Sequence, residues 1–231
     1  TRADASKHQG DFRKIVQGVN DTLDSVIGPL NVAAEYVDRI AKGDIPNKIT
    51  DNYNGDFNEI KNNLNTAIDA VTLLVKDANI LADAAVQGKL ATRADASKHQ
   101  GDFRKIVQGV NDTLDAVIGP LNVAAEYVDR IAKGDIPNKI TDNYNGDFNE
   151  IKNNLNTAID AVTLLVKDAN ILADAAVQGK LATRADASKH QGDFRKIVQG
   201  VNDTLDAVIG PLNVAAEYVD RIAKGDIPNK I

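Results

Sequence analysis

The sequence predicts an all-α chain made of tandem two-helix modules. Three observations carry that prediction. The chain repeats every 91 residues: Thr1-Arg2-Ala3-Asp4 returns at Thr92 and Thr183, and the copies differ only where Ser25 becomes Ala116 and Ala207. Internal repetition of this kind marks an array rather than a single globule. Apolar residues recur at spacings of three and four, the period of one face of a helix. No strand pattern is present, and aromatic residues make up only 4% of the chain with no Trp, which suits narrow helix–helix seams better than a bulky globular core.

Each 91-residue copy contains a fainter repeat of half its length. Gly43-Asp44-Ile45 echoes Gly88-Lys89-Leu90, and Gly55-Asp56-Phe57 echoes Gly101-Asp102-Phe103. The unit is therefore about 45 residues, a helix, a connector and a second helix, in alternating versions A and B. The expected modules are 1–26 (second half of a B unit), 27–71 (A), 72–117 (B), 118–162 (A), 163–208 (B) and 209–231 (first half of an A unit).

The first helix of the A unit places Leu30, Ala33, Val37 and Ile40 on one stripe, and that of the B unit places Val75, Ala78, Ala82 and Ala85. The second helices give Phe57, Ile60, Leu64, Ala67 and Val71 in A, and Phe103, Ile106, Val110, Thr113 and Val117 in B. These are heptad spacings, the mark of a coiled-coil seam. Nothing interrupts the helix between Val71 and Val75, so the second helix of one unit is expected to run straight into the first helix of the next. An extra step of four at each junction is a stutter, which locally unwinds a left-handed supercoil. At the B-to-A junction Gly119-Pro120 is expected to loosen or mildly kink the helix, because proline lacks the amide hydrogen and crowds the carbonyl of Ala116.

Gly43 and Gly88 sit just past their helices, where a left-handed cap is usual. In the connectors, Ile45 and Ile49 of A, matched by Leu90 and Ala94 of B, are expected to tuck against the bundle. A first helix of about 14 residues rises about 21 Å. A connector of about 13 residues spans up to about 43 Å when extended. It can climb back along the helix, leaving the two helices of a unit parallel. Two parallel helices with one apolar stripe each cannot fill a core, and a second chain would complete a four-helix bundle.

The pattern resembles HAMP domains, the linker modules of bacterial chemoreceptors and sensor histidine kinases. The matching residues are Pro29 opening the first helix, Gly43 ending it, Ile45 and Ile49 at the connector anchor positions, and Asn65 after Leu64. B units match through Gly88, Leu90, Ala94, Phe103 and Asn111. The resemblance covers nearly the whole chain. It implies a parallel homodimeric four-helix coiled coil, flanking HAMP, sensor or output domains as partners, and a cytoplasmic relay of helix movements, in a receptor whose membrane segment would lie elsewhere. Two features depart from the family pattern. The acidic pair that commonly opens the second helix is Gly55-Asp56 and Gly101-Asp102 here, and B units carry Leu74 where A units have Pro29.

Other chemistries fit poorly. The net charge of −6 argues against nucleic acid. The absence of Cys rules out disulfides and thiolate sites and fits a reducing compartment. No apolar run approaches the roughly 20 residues of a membrane helix. The start at Thr1 without any Met reads as a segment of something longer. Asp51-Asn52-Tyr53-Asn54-Gly55 hints at a calcium loop, but aligning Gly55 with the required glycine puts Thr50 first and Lys61 last, where carboxylates are needed. His8, His99 and His190 are one repeat position in a polar Lys-His-Gln-Gly connector and read as solvated loop histidines. Asp38 and Glu35 read as surface carboxylates, and Tyr36 and Tyr127 as packing at the seam edge. No catalytic residue, cofactor, metal or small-molecule ligand is expected. The leading function is signal relay; the rival is a structural spacer or filament-forming rod, which near-perfect repetition would serve.

Overall fold

The computed structural model describes residues 1–230. Five helices of 32 residues each carry the chain: α1 (Gly10–Ala41), α2 (Gly55–Val86), α3 (Gly101–Ala132), α4 (Gly146–Val177) and α5 (Gly192–Ala223). No strand occurs among the described residues. Each helix joins the second half of one module to the first half of the next, so α2 runs unbroken from Phe57 through Val71 and Val75 to Ala85. The B-to-A junction is also continuous. Pro29, Pro120 and Pro211 all lie inside their helices, so the loss of one backbone bond does not interrupt α3 at Gly119-Pro120.

Glycines set both ends of these helices. Gly43 has φ 80°. Its amide donates to the carbonyl of Ile40 at 3.0 Å, and the next amide, of Asp44, donates to that of Arg39 at 3.0 Å. This paired closure satisfies carbonyls that the last turn leaves open. Pro46 then bars the helix from resuming. At the other end Gly55 opens α2 with φ 54°, a conformation that costs a side chain about 1–2 kcal/mol. That explains why only one carboxylate, Asp56, remains at the head of the second helix. It sits in the first turn, where the helix dipole favours a negative charge.

The chain divides into two compact units, Thr1–Ile118 and Gly119–Ile231, with the boundary at the glycine–proline junction. In the first unit, the second half of α1 lies beside the first half of α2: Pro29, Val32 and Ala33 line one cleft with Phe57, Ile60 and Leu64. The second half of α2 and the first half of α3 do the same, with Leu74 and Ala78 facing Ile106 and Val107 along a shared groove. The two helices of a module are therefore parallel. The second unit repeats the B arrangement between α4 and α5.

Ile49, Ile68, Ala84, Val107 and Ile118 form the buried apolar residues of the first unit, and Ile140, Ile159, Ala175, Val198 and Ile209 those of the second. No described residue is completely buried. The helices thus cover one face against each other and leave another bare.

Replacing Gly55 by alanine should destabilise the chain by about 1–2 kcal/mol through the left-handed strain alone. Gly18→Ala is the control, because Gly18 lies inside α1 with no positive φ and open space around it. That change should be neutral or stabilising. Urea unfolding followed by circular dichroism measures both.

Candidate functional site

The repeated feature of the five modules whose second helix is present is a clasp between that helix and the connector. Asn65 on α2 accepts a hydrogen bond from the Ile49 amide at 2.8 Å and donates one to the Ile49 carbonyl at 3.0 Å. Asn111 on α3 does the same to Ala94, at 3.1 and 2.8 Å. Asn20 with Ala3, Asn156 with Ile140 and Asn202 with Ala185 repeat it. A side-chain amide offers both a donor and an acceptor, so it pairs one extended peptide as a neighbouring strand would. The clasped peptide lies outside any sheet or helix that could satisfy those groups.

Charged pairs flank each clasp. Lys48, one residue before Ile49, meets Asp69 at 2.6 Å, and Arg93, before Ala94, meets Asp115 through two nitrogens at 2.7 and 2.9 Å. These pairs are largely exposed, so their contribution is small. The B connector adds a short 3₁₀ turn, Ala96–Lys98, capped by Asp95. The Asp95 carboxyl accepts from the Ser97 hydroxyl at 2.6 Å and the Ser97 amide at 3.0 Å, and these bonds hold it below the usual carboxylate range. In the A connector, the guanidinium of Arg39 donates to Asp44 and lowers that carboxyl in the same way. Burial, then Asp51, pushes the Tyr53 hydroxyl upward.

The anticipated anchors differ between units. Ile49 is buried and Ile45 half-buried; Ala94 is half-buried and Leu90 exposed. Gly43 and Gly88 are exposed, with φ 80° and 69°. Gly119 is exposed and Pro120 half-buried.

Along the stripe, Leu30, Val37, Ile60, Ala67, Val75, Ala78, Ala82, Ala85, Ile106, Val110 and Val117 are exposed, while Ala33, Ile40, Leu64 and Val71 are half-buried. Val37 at 54% and Ile106 at 51% are far more open than the residues facing the neighbouring helix of the same chain.

The histidines depart from the sequence reading. His99 and His190 are not solvated: their Nε2 atoms lie 2.8 Å from the carboxylates of Asp77 and Asp168, and each imidazole is only 1% exposed. The partner lies 22 residues away on the preceding helix, beyond the reach of local spacing. His8, with no helix ahead of it in this sequence, is exposed. The Asn clasp went unread as a contact for the same reason. Its signal was present: an asparagine inside a helix, where it is a poor former, at the same place in both half-repeats.

A family model described as HAMP domain matches residues 7–72, 98–163 and 189–231. The chain belongs to the HAMP domain family. The matches recur at the repeat period and include both complete A units. HAMP domains are signal-relay modules of receptors and are non-catalytic. No solved structure matches the chain. Among the described residues, no helix of this HAMP array is long and apolar enough to cross a membrane.

Asn65→Ala should leave both polar groups of Ile49 without their partner and cost about 1–3 kcal/mol. Faster exchange of the Ile49 amide, measured by hydrogen exchange with fragment separation, would report it. Ser97→Ala should raise the Asp95 titration midpoint toward the ordinary carboxylate value. With Ser97 present, the folded carboxyl titrates below its unfolded value. Its contribution is therefore present at neutral pH and fades as the pH falls through the folded midpoint. Carboxyl-carbon NMR titration of the two chains checks the shift.

Proposed function

We propose that this array relays conformational change along a parallel homodimer, between a sensor and an output domain, without chemistry of its own. One observation supports this reading above the rest. Each 32-residue helix is shared by two consecutive modules, and its bare apolar stripe continues through both. A rotation or shift of the second helix of one module is the same movement in the first helix of the next, because they are one rod.

A second copy of the chain is the natural cover for the stripe. Burying one exposed Val, Leu or Ile side chain contributes about 1.5–3 kcal/mol, and the stripe presents several per module. Two parallel helices from each chain would close a four-helix bundle around these positions. The residues proposed to form its core are the stripe positions, with Gly43, Ile45, Ile49, Gly88, Leu90 and Ala94 shaping the connectors. The proposed modules keep the boundaries expected from the sequence. The B units are proposed as HAMP modules like the A units. A cytoplasmic setting within a larger, membrane-anchored receptor fits this role.

The spacer reading has its own observation: successive copies differ at a single position, Ser25 against Ala116 and Ala207. Such uniformity serves length as well as regulation.

The full chain should scatter light with twice the 24.7 kDa mass of one copy. Val75→Cys should form a disulfide-linked dimer under mild oxidation, whereas Asp83→Cys, on the face turned away from the stripe, should not. Spin labels on the stripe should change their separation when the upstream module is altered. A dimer with fixed separations under every perturbation, and fibres in electron micrographs, would leave only the spacer.

A further inference from the structure

The A and B modules fasten the end of the connector to the first helix in different ways. Counting back from the helix-ending glycines, Val32 and Asp77 occupy the same place, eleven residues ahead of Gly43 and Gly88. Counting back from the helix-opening glycines, Tyr53 and His99 do too, two residues ahead of Gly55 and Gly101. In the A module, Tyr53 and Val32 share a cleft closed down to about 10 Å³. In the B module, the same two places hold His99 and Asp77, 2.8 Å apart, beside an open apolar groove of about 340 Å³. The second unit repeats the pair as His190 and Asp168, again at 2.8 Å, beside a groove of about 350 Å³.

These two fastenings respond differently to movement. An apolar contact is non-directional and weakens gradually as surfaces slide. A hydrogen bond to a carboxylate is steep in distance and angle. When it breaks, a buried polar group is left without a partner, unless the site opens to water. Neighbouring charges do not offer a substitute: Lys98 pairs with Asp95 at 3.6 Å and Asp69 with Lys48 at 2.6 Å. Intermediate positions of the B module are therefore disfavoured, while those of the A module are not.

We propose that the His99–Asp77 and His190–Asp168 pairs are latches that make the B modules two-position elements of the relay, with the A modules following between them. His99 is a positioning residue. It sits two residues before the start of α3, so the latch fixes where the second helix begins against the first. The consequence for signalling rests on the relay reading; the latch itself does not require it.

The test uses the full chain with both B modules changed together. Asp77→Val with Asp168→Val breaks the pair from one side, and His99→Tyr with His190→Tyr from the other. All four substitutions together install the A-type fastening. His99→Gln with His190→Gln retains an N–H donor. Each half-change should speed amide exchange in the first turns of α3 and α5 by about tenfold. The four-fold change should return it close to the wild-type rate, and the glutamine variant should fall between wild type and tyrosine. Spin labels at Lys76→Cys and Arg104→Cys, in chains diluted with unlabelled protein, should give two resolved distance populations in the wild type. With the A-type fastening they should give one broad population.

Equal exchange in the wild type and in both half-changed chains would overturn the latch. So would a four-fold change that restores protection yet keeps two populations, because the pair would then be a structural clamp only. Should a half-changed chain unfold, the glutamine variant and the four-fold change still decide the matter. Loss of the dimer in light scattering would sink the relay reading and leave the exchange result readable.

Discussion

The architecture depends on one side-chain amide per module. A connector that must return along its own helix runs largely extended over the surface, with no strand and at most one short 3₁₀ turn to take up its backbone groups. Asn65 and Asn111 give one peptide of each connector a donor and an acceptor at once. That clasp sets the height of the connector on the second helix. The helix-opening glycine then follows a fixed number of residues later, so the clasp also sets where the second helix starts relative to the first. Parallel packing, and with it the alignment of the two apolar stripes, follows from this contact.

Parallel packing leaves each module with two apolar faces of different fate. One is closed within the chain, around Ile68, Ala84, Val107 and Ile118. The other, from Leu30 through Val37, Val75 and Ile106, remains open. A chain with no completely buried residue among those described has little core of its own. Its helices are too bare to be a finished bundle, which is the ground for the proposed second copy.

Much of this was legible in the sequence because it depends on local chemistry. Helix continuity across Val71 and Val75, the glycine ends and the spacing of the stripe all follow from residues within a turn or two of each other. The contacts that were not legible cross 16 to 22 residues: Asn65 to Ile49, Asn111 to Ala94, His99 to Asp77. A Lys-His-Gln-Gly segment reads as solvated because its neighbours in sequence are polar. Its burial comes from a helix that sequence spacing does not place beside it. Ile68 and Val107, one position along from Ala67 and Ile106, lie off the heptad stripe and are buried within the chain. At Gly119-Pro120 the helix is continuous, since one missing amide does not outweigh the turns on either side.

The alternation of modules acquires a physical meaning once the helices are seen to be shared. The helix α2 begins just after Tyr53, in the apolar fastening of an A module, and carries Asp77 of the B latch farther along. The helix α3 begins just after His99 and carries Val123, the counterpart of Val32, farther along. The helix α2 therefore joins one compliant contact to one stringent contact. Helix ends pinned by glycines at both termini leave no slack by which a helix could lengthen or shorten to absorb a displacement. In the proposed relay, a displacement entering at a compliant module is delivered to the next stringent one, which either holds or releases. A uniform array of compliant modules would dissipate the displacement over its length, and a uniform array of stringent ones would resist it at the first step. Alternation avoids both outcomes, which gives a physical reason for a repeat of two unlike halves rather than one.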